Sequence, residues 1–321
     1  MTARAVMPSA VAGMNESAPA EATAVVAGRS PWRLAWERLR HDRVAIASSV
    51  TIVLIALLAI LAPVIAHLVG HGPNQQYFTI GLTPDGLPRP PSGTFLLGTD
   101  DLGRDLLVRV AYGAQISLLV GVVSTAIAVA LGVLVGLTAG YVGGPIDALL
   151  CRFVDVVLSF PVLLLAIALV SIVGPGLIIT ILIIAFFSWA SMARIVRGQT
   201  LSLREREFVE AARSLGASSA RIMVRDILPN VSAQVIVYAT LLIPSAIAFE
   251  ATLSFLGLGV VPPTAEWGSM LAESVGYYQV AWWFIAFPGM ALLITTLAFN
   301  LLGDAVRDAL DPRAHSLFRS K

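Results

Sequence analysis

The stretch VVLSFPVLLLAIALVSIVGPGLIITILIIAFFSWASMA, residues 156–193, lies between Asp155 and Arg194 and carries no formal charge over 38 residues. As one helix at 1.5 Å per residue it would reach about 57 Å, nearly twice a hydrocarbon core of ~30 Å. Gly174-Pro175-Gly176 interrupts it and is the natural place to turn. The stretch therefore predicts two membrane spans, near residues 152–173 and 177–195, joined by a tight hairpin.

The same pattern continues on both sides. Arg109 and Asp147 are separated by 37 uncharged residues, which predicts a span near 116–141, and another uncharged run predicts one near 44–69. A fifth, near 231–256, holds one acid, Glu250, and the sixth, near 282–303, falls between Glu273 and Asp304. The expectation is an all-α integral membrane protein of about six transmembrane helices. Composition agrees: 57% of the 321 residues are hydrophobic, 13% are charged, and mean hydropathy is +0.83. A soluble domain carries roughly twice that charged fraction.

Residues 1–30 are rich in Ala, Ser, Pro and Glu. Pro8, Asn15, Glu16, Pro19 and Glu21 break any apolar core of a cleavable signal, so a disordered tail is expected. A membrane domain then occupies 31–315, and 316–321 form a second tail. The loop after the first span, with Pro73, Pro84, Pro88, Pro90 and Pro91, is too broken for a helix. One cysteine, Cys151, excludes an internal disulfide and a thiol metal cluster. His67 and His71 stand at helical spacing and could share a metal, but a helix end meeting water accounts for them, and no metal is expected.

Orientation follows from Lys and Arg in the loops. Three of 21, Arg89, Arg104 and Arg109, fall in the loop after the first span; the other 18 fall in the tails, the loop after the second span or the segment after the fourth. Both termini and the segment 194–226 are thus expected in the cytoplasm, and the protein in the cytoplasmic (inner) membrane as a multi-pass component. Within the second span Gly132, Gly136 and Gly140 share one helix face, where another backbone can approach closely.

The basic segment after the fourth span alternates Arg204, Arg206, Arg213, Arg221 and Arg225 with Glu205, Glu207, Glu210 and Asp226. Phe208, Ala212 and Leu215 recur at helical spacing, predicting an amphipathic helix. Arg206 can pair with Glu210, and Glu210 with Arg213. Gly216 is a natural terminator, and Pro229 suits the start of the fifth span. Periodicity and charge leave three readings open: an interfacial helix on anionic lipid, a basic loop that only fixes topology, or a docking helix for another protein.

Glu210-Ala211-Ala212, then Gly216, then Leu228-Pro229 resemble the EAA loop of permease subunits in ATP-binding-cassette importers; Asp226 stands where the general motif often has Ile. Four further stretches resemble the C-type permease of dipeptide and oligopeptide importers: LGTDDLGRDLLVRVAYGAQISL (97–118), DVVLSFPVLLLA (155–166), EATLSFLGLGVVPPTAEWGSML (250–271) and NLLGDAVRDALDPR (300–313). Together they cover about residues 30–315. The resemblance implies a type I importer permease fold and half of a translocation pathway for di- or oligopeptides. It makes 198–229 a coupling loop in which Arg206, Glu207, Glu210, Ala211, Ala212, Leu215 and Gly216 contact the ATPase. The implied partners are a second permease subunit, two ATP-binding subunits and an external solute-binding protein, around a lipid bilayer and with no nucleic acid. ATP and magnesium would belong to the partner subunits. Nickel and glutathione importers share the family, so those cargoes are the alternative.

Glu250 is the one acid well inside a span, where an ionised group costs about 2.5–3.5 kcal/mol on insertion scales. It and its neighbour Ser254 either line or gate the path, or form a structural hydrogen-bonding site. Asp155, Ser159 and Pro161 near the inner end of the third span are further pathway candidates, although Asp155, within reach of Arg152, is read first as orienting its helix and only second as touching substrate. Pro161 and Pro244 should kink their helices. Asp100, Asp101, Arg104 and Asp105 are either a docking surface for the binding protein, as the resemblance implies, or a capped loop with local ion pairs. No nucleophile or histidine accompanies these acids, so no catalytic residues are assigned. No phosphate-cradling loop ends in Lys-Ser or Lys-Thr, and the sole lysine is Lys321; the chain is not expected to be the ATPase. An ATP-independent secondary transporter would place several ionisable groups along its path, and a membrane scaffold or sensor would lack transport partners altogether.

Overall fold

The computed structural model describes residues 31–310; the expected tails at 1–30 and 316–321 lie outside the described residues. In chain order the helices are α1 (Pro31–Leu39), α2 (Arg43–Ile60), α3 (Ala62–Val69), α4 (Leu106–Val142), α5 (Gly144–Ser159), α6 (Val162–Val173), α7 (Leu177–Arg204), α8 (Glu207–Ser214), α9 (Ser219–Arg221), α10 (Leu228–Phe255), α11 (Trp267–Ser274) and α12 (Trp282–Leu310). A π-helical turn, Ile222–Ile227, fuses α9 to α10. Among the described residues, five helices are long and apolar enough to cross a membrane, and six spans result if α5 and α6 count as one.

The span boundaries differ from the sequence expectation in instructive ways. The first span breaks at Leu61, because Pro63 lacks the N–H that would continue the ladder. The second begins ten residues early, at Leu106, where Asp105 accepts from the Leu107 and Val108 N–H groups at 2.9 and 3.3 Å. The third is not one kinked helix: α5 and α6 meet at 85° around Phe160-Pro161. Pro161 is extended there (φ −62°, ψ 110°), so the helix restarts instead of bending. The fourth, α7, runs on to Arg204 and absorbs the start of the expected coupling loop. Gly174-Pro175-Gly176 forms the turn between α6 and α7 as expected.

α4 and α7 form the central pair, and the three glycines explain why. A Cβ on Gly132 would stand 2.5 Å from Met192 Cβ, one on Gly136 2.7 Å from the Ala193 carbonyl oxygen, and one on Gly140 2.7 Å from Thr200 Cβ. With no hydrophobic effect to press helices together in lipid, such backbone proximity supplies the dispersion contact. α10 packs against both α4 and α12, while α2 keeps Val50, Val53 and Leu54 exposed, as a lipid-facing helix should.

Two short helices were not foreseen. α11 is capped by Glu266, which accepts from the Gly268 and Ser269 N–H groups at 2.6 and 2.8 Å, and it buries Trp267 and Met270 against α4. Trp267 donates its indole N–H to the Val110 carbonyl at 3.0 Å, filling the space that Gly113 leaves open. α1 packs on the end of α12, where Arg38 donates to the Ala309 carbonyl at 3.1 Å.

Candidate functional site

α8 lies at the end of the bundle where α4 finishes and α10 starts. Arg206 adopts the extended N-cap conformation, and Glu207 and Glu210 in the first turn complement the helix dipole. Leu215 closes the helix, and Gly216 follows at φ +80°, a left-handed conformation that L side chains adopt only with strain. The helix and its terminator therefore stand where the sequence places them.

The seated face differs from the one periodicity suggests. Val209 is fully buried, with Ala212 packed beside it, in a cluster of Leu137, Tyr141, Met192, Val196, Ile222 and Ile227. Phe208 and Leu215, read as part of the apolar stripe, are 42% and 89% exposed. Glu210, Ala211 and Gly216 are exposed as well. The stripe thus splits: 209 and 212 bind the helix to its own bundle, while 208, 211 and 215 face outward. Neither the Arg206–Glu210 nor the Glu210–Arg213 ion pair forms among the described residues. Arg213 instead stacks over the Tyr141 ring at 5.2 Å and donates to its hydroxyl at 3.5 Å, tying α8 to the end of α4.

α7 leads directly into α8, and two ion pairs link it to α5. Arg197 grips Asp147 with two bonds, 2.6 and 2.7 Å, and Cys151 donates to the same carboxylate at 3.3 Å. Arg194 holds Asp155 at 2.6 Å, so α7 supplies the partner for which the sequence suggested Arg152. Between these pairs lies a cavity of about 370 Å³ lined by Gly136, Ala139, Cys151, Val154, Asp155 and Arg197. Asp155, Ser159 and Pro161 are exposed along the α5 face leading to the elbow.

Glu250 and Ser254 sit elsewhere, inside the subunit. Glu250 is fully buried; Ser117 and Ser254 donate to it at 3.3 and 3.2 Å, and Ser254 also accepts from Val260 N–H at 3.4 Å. These bonds join α4, α10 and the following loop around an enclosed carboxyl.

The acids at 100–105 lie at the other end of α4, about 55 Å from Tyr141 by helix rise. Asp101 is partly exposed and the others are enclosed. Asp100 and Asp105 are fully buried and Arg104 nearly so. Arg104 bonds Asp100 at 2.5 Å and Glu273 at 3.0 Å, and Arg109 reaches Asp100 at 3.1 Å. Asp100, Asp101 and Glu273 bring oxygens within 4.8 Å of one another, but the two guanidinium groups lie among them and supply the counter-charge. Burial pushes the Asp101 and Glu273 carboxyls above their usual range, with neighbouring acids adding to the effect. Asp105 also meets His71 at 2.6 Å, and that ring stacks on Phe95 at 4.8 Å, so His71 is committed to packing.

The arrangement is an elbowed helix pair, a glycine-seated α4–α7 core and an outward-facing short helix between the fourth and fifth spans, and the family it belongs to is that of transporter permeases. The chain belongs to the family of binding-protein-dependent transport system inner membrane components, whose model matches residues 132–316, and residues 30–84 match the N-terminal TM domain of oligopeptide transport permease C. Among its relatives, the di/tripeptide transport system permease protein DppC of Pseudomonas aeruginosa is 43% identical over 88% of this chain and 93% of its own length. The oligopeptide transport system permease protein OppC of Escherichia coli K12 is 44% identical over 90% and 93%, and the glutathione transport system permease protein GsiD of Escherichia coli O6:K15:H31 is 44% identical over 89% and 91%. An inward-facing structure of the MetNI methionine ABC transporter shares the fold, with a TM-score of 0.52 at 19% identity over 63% of this chain and 96% of that one. The chain is therefore a multi-pass inner-membrane permease of the ATP-binding-cassette type.

Proposed function

We propose that this chain is one half of the translocation pathway of an ATP-driven importer for di- or oligopeptides. A second permease subunit supplies the other half, two ATP-binding subunits hydrolyse ATP with magnesium, and an external solute-binding protein delivers cargo. The relatives named for peptide transport favour peptides, and the relative named for glutathione, itself a small peptide-like molecule, keeps that cargo as the second reading. The excess of Lys and Arg in the loops on the α8 side supports cytoplasmic termini and a cytoplasmic α8.

The observation that carries the reading is the split face of α8. A helix that only set topology would have no reason to seat Val209 in the core while presenting Phe208, Ala211 and Leu215 to solvent beside Glu210. Those outward groups fit an apolar groove with a basic rim on the ATP-binding partner. ATP-driven closure would displace α8, and α7, covalently continuous with it, would carry the movement to α5 through Asp147 and Arg197. Cargo then meets the exposed side of the α5–α6 elbow, where Asp155, Ser159 and Pro161 lie. Glu250 and Ser254 take a structural part.

The test uses the assembled complex with labelled dipeptide and glutathione in proteoliposomes. Leu215→Ser and Glu210→Lys should leave membrane insertion intact, reduce co-purification of the ATP-binding subunits about tenfold and abolish uptake. Normal co-purification and uptake in both variants would remove α8 from the coupling role. Uptake driven by an ion gradient after ATP depletion would overturn the ATP-driven reading.

A further inference from the structure

α1 precedes the first span by only a few residues, and its solvent-side chemistry is unusual. Trp32 and Trp36, one helical turn apart, are 46% and 67% exposed, and they share a face. Ala35, between them, is buried, and Arg38 anchors the opposite side to the Ala309 carbonyl on α12. Arg33 is exposed beside Glu37 at 3.4 Å, and Arg40 and Arg43 are exposed just beyond the helix. Two large indole rings on a nine-residue helix are costly in water, and their clustering with arginines needs an explanation.

The chain path fixes where this face lies. Four residues of chain from Leu39 to Arg43 reach at most about 14 Å. Arg43 opens α2, an 18-residue, mostly apolar helix that rises about 27 Å, close to the thickness of the hydrocarbon core. Arg43 therefore stands at the core boundary. The other anchor agrees: Ala309 follows Asp304, Arg307 and Asp308 on α12, a charged turn that belongs outside hydrocarbon. Both attachments hold α1 at headgroup depth. Indole rings have an apolar body and an N–H donor and are favoured at that depth, while guanidinium groups fork onto phosphate oxygens.

We propose that α1 is an interfacial anchor that binds the anionic phospholipid headgroup layer on the α8 side of the bilayer. Trp32 and Trp36 insert at the acyl–headgroup boundary, and Arg33, Arg40 and Arg43 meet lipid phosphates. The partner is lipid because the face combines interfacial aromatics with net positive charge and sits beside a span exposed on its own flank. The contact would brace the cytoplasmic ends of α2 and α12 together, and it stands apart from the coupling role of α8.

The experiment places the full complex in nanodiscs of phosphatidylcholine with or without phosphatidylglycerol, carrying lipids brominated near the head or near the methyl end of the chain. The fluorescence that separates the wild type from W32F/W36F reports these two indoles alone. That difference signal should be quenched about twofold more by head-proximal than by terminal bromine. The quenching should also strengthen with phosphatidylglycerol, and R40Q/R43Q should lose that strengthening. A difference signal that neither lipid quenches means protein covers this face and overturns the proposal. Quenching indifferent to phosphatidylglycerol, or unchanged in R40Q/R43Q, overturns the anionic-lipid assignment.

Discussion

Asp147 and Arg197 close a two-bond ion pair, 2.6 and 2.7 Å, between the start of α5 and the last turns of α7. Both side chains are partly shielded, so the pair is worth more than an exposed surface bridge and less than a buried one. Asp147→Asn should cost about 1 kcal/mol of stability in the purified complex. It should leave the ATP-binding subunits bound but lower uptake relative to ATP hydrolysis, measured together in proteoliposomes. Partial recovery of that ratio in the swapped pair D147R/R197D would tie the effect to the bridge itself.

α8 allows folding and docking to be separated within one helix. Val209→Ala empties a fully buried site and should destabilise the chain by about 1–2 kcal/mol. Leu215→Ala, at an exposed site, should leave thermal stability unchanged and reduce ATPase association. Thermal melts and co-purification of the two variants, side by side, check the contrast.

Glycine substitutions on the central pair should diverge sharply by position. Gly136→Ala drives a Cβ to 2.7 Å from a backbone oxygen and Val196, which must move, at a cost of about 1–3 kcal/mol. Gly198→Ala, on α7 with no atom within 4 Å of the new carbon, should be neutral or stabilising by up to about 1 kcal/mol. Detergent thermal stability of the two variants measures the difference.

The network at the far end of α4 predicts a pH dependence. Three acids, Asp100, Asp101 and Glu273, face two arginines, and burial raises the Asp101 and Glu273 carboxyls. A group with a raised folded-state value binds its proton more tightly when folded. Its contribution is full below the ordinary carboxylate range and is lost as pH rises through the raised value. Stability of this end should therefore fall on going from acid toward neutral pH, and Asp101→Asn should flatten the profile. Hydrogen exchange of the α4 and α11 starts across that range provides the readout.

Glu250→Gln tests the sealed carboxyl. With the side chain fully buried and bonded by Ser117 and Ser254, an isosteric amide should keep uptake within about twofold of wild type. Uptake of labelled peptide decides it; a collapse with assembly intact would return Glu250 to the pathway.

Much of the architecture is legible in the chain, because the bilayer penalises charge and unpaired backbone so strongly. Residues 156–193 are uncharged over more than one bilayer thickness, so they demand two spans and a turn, and Gly174-Pro175-Gly176 supplies it. Gly132, Gly136 and Gly140 mark the tight helix contact, and Gly216 marks the end of α8, since each reflects a local steric requirement. What periodicity could not resolve was which residues of α8 face inward. Phe208, Val209, Ala212 and Leu215 are all apolar enough for either side, and only the position of Tyr141 on α4 and of Ile222 and Ile227 on the π-helical turn selects Val209. The same holds for Asp155, whose partner Arg194 lies 39 residues away, and for Asp100–Asp105, where Glu273 arrives from beyond α10 to bury the cluster. Local sterics and the cost of charge in lipid are written residue by residue. Pairing across helices depends on where distant segments meet, and that was decided by the tertiary packing alone.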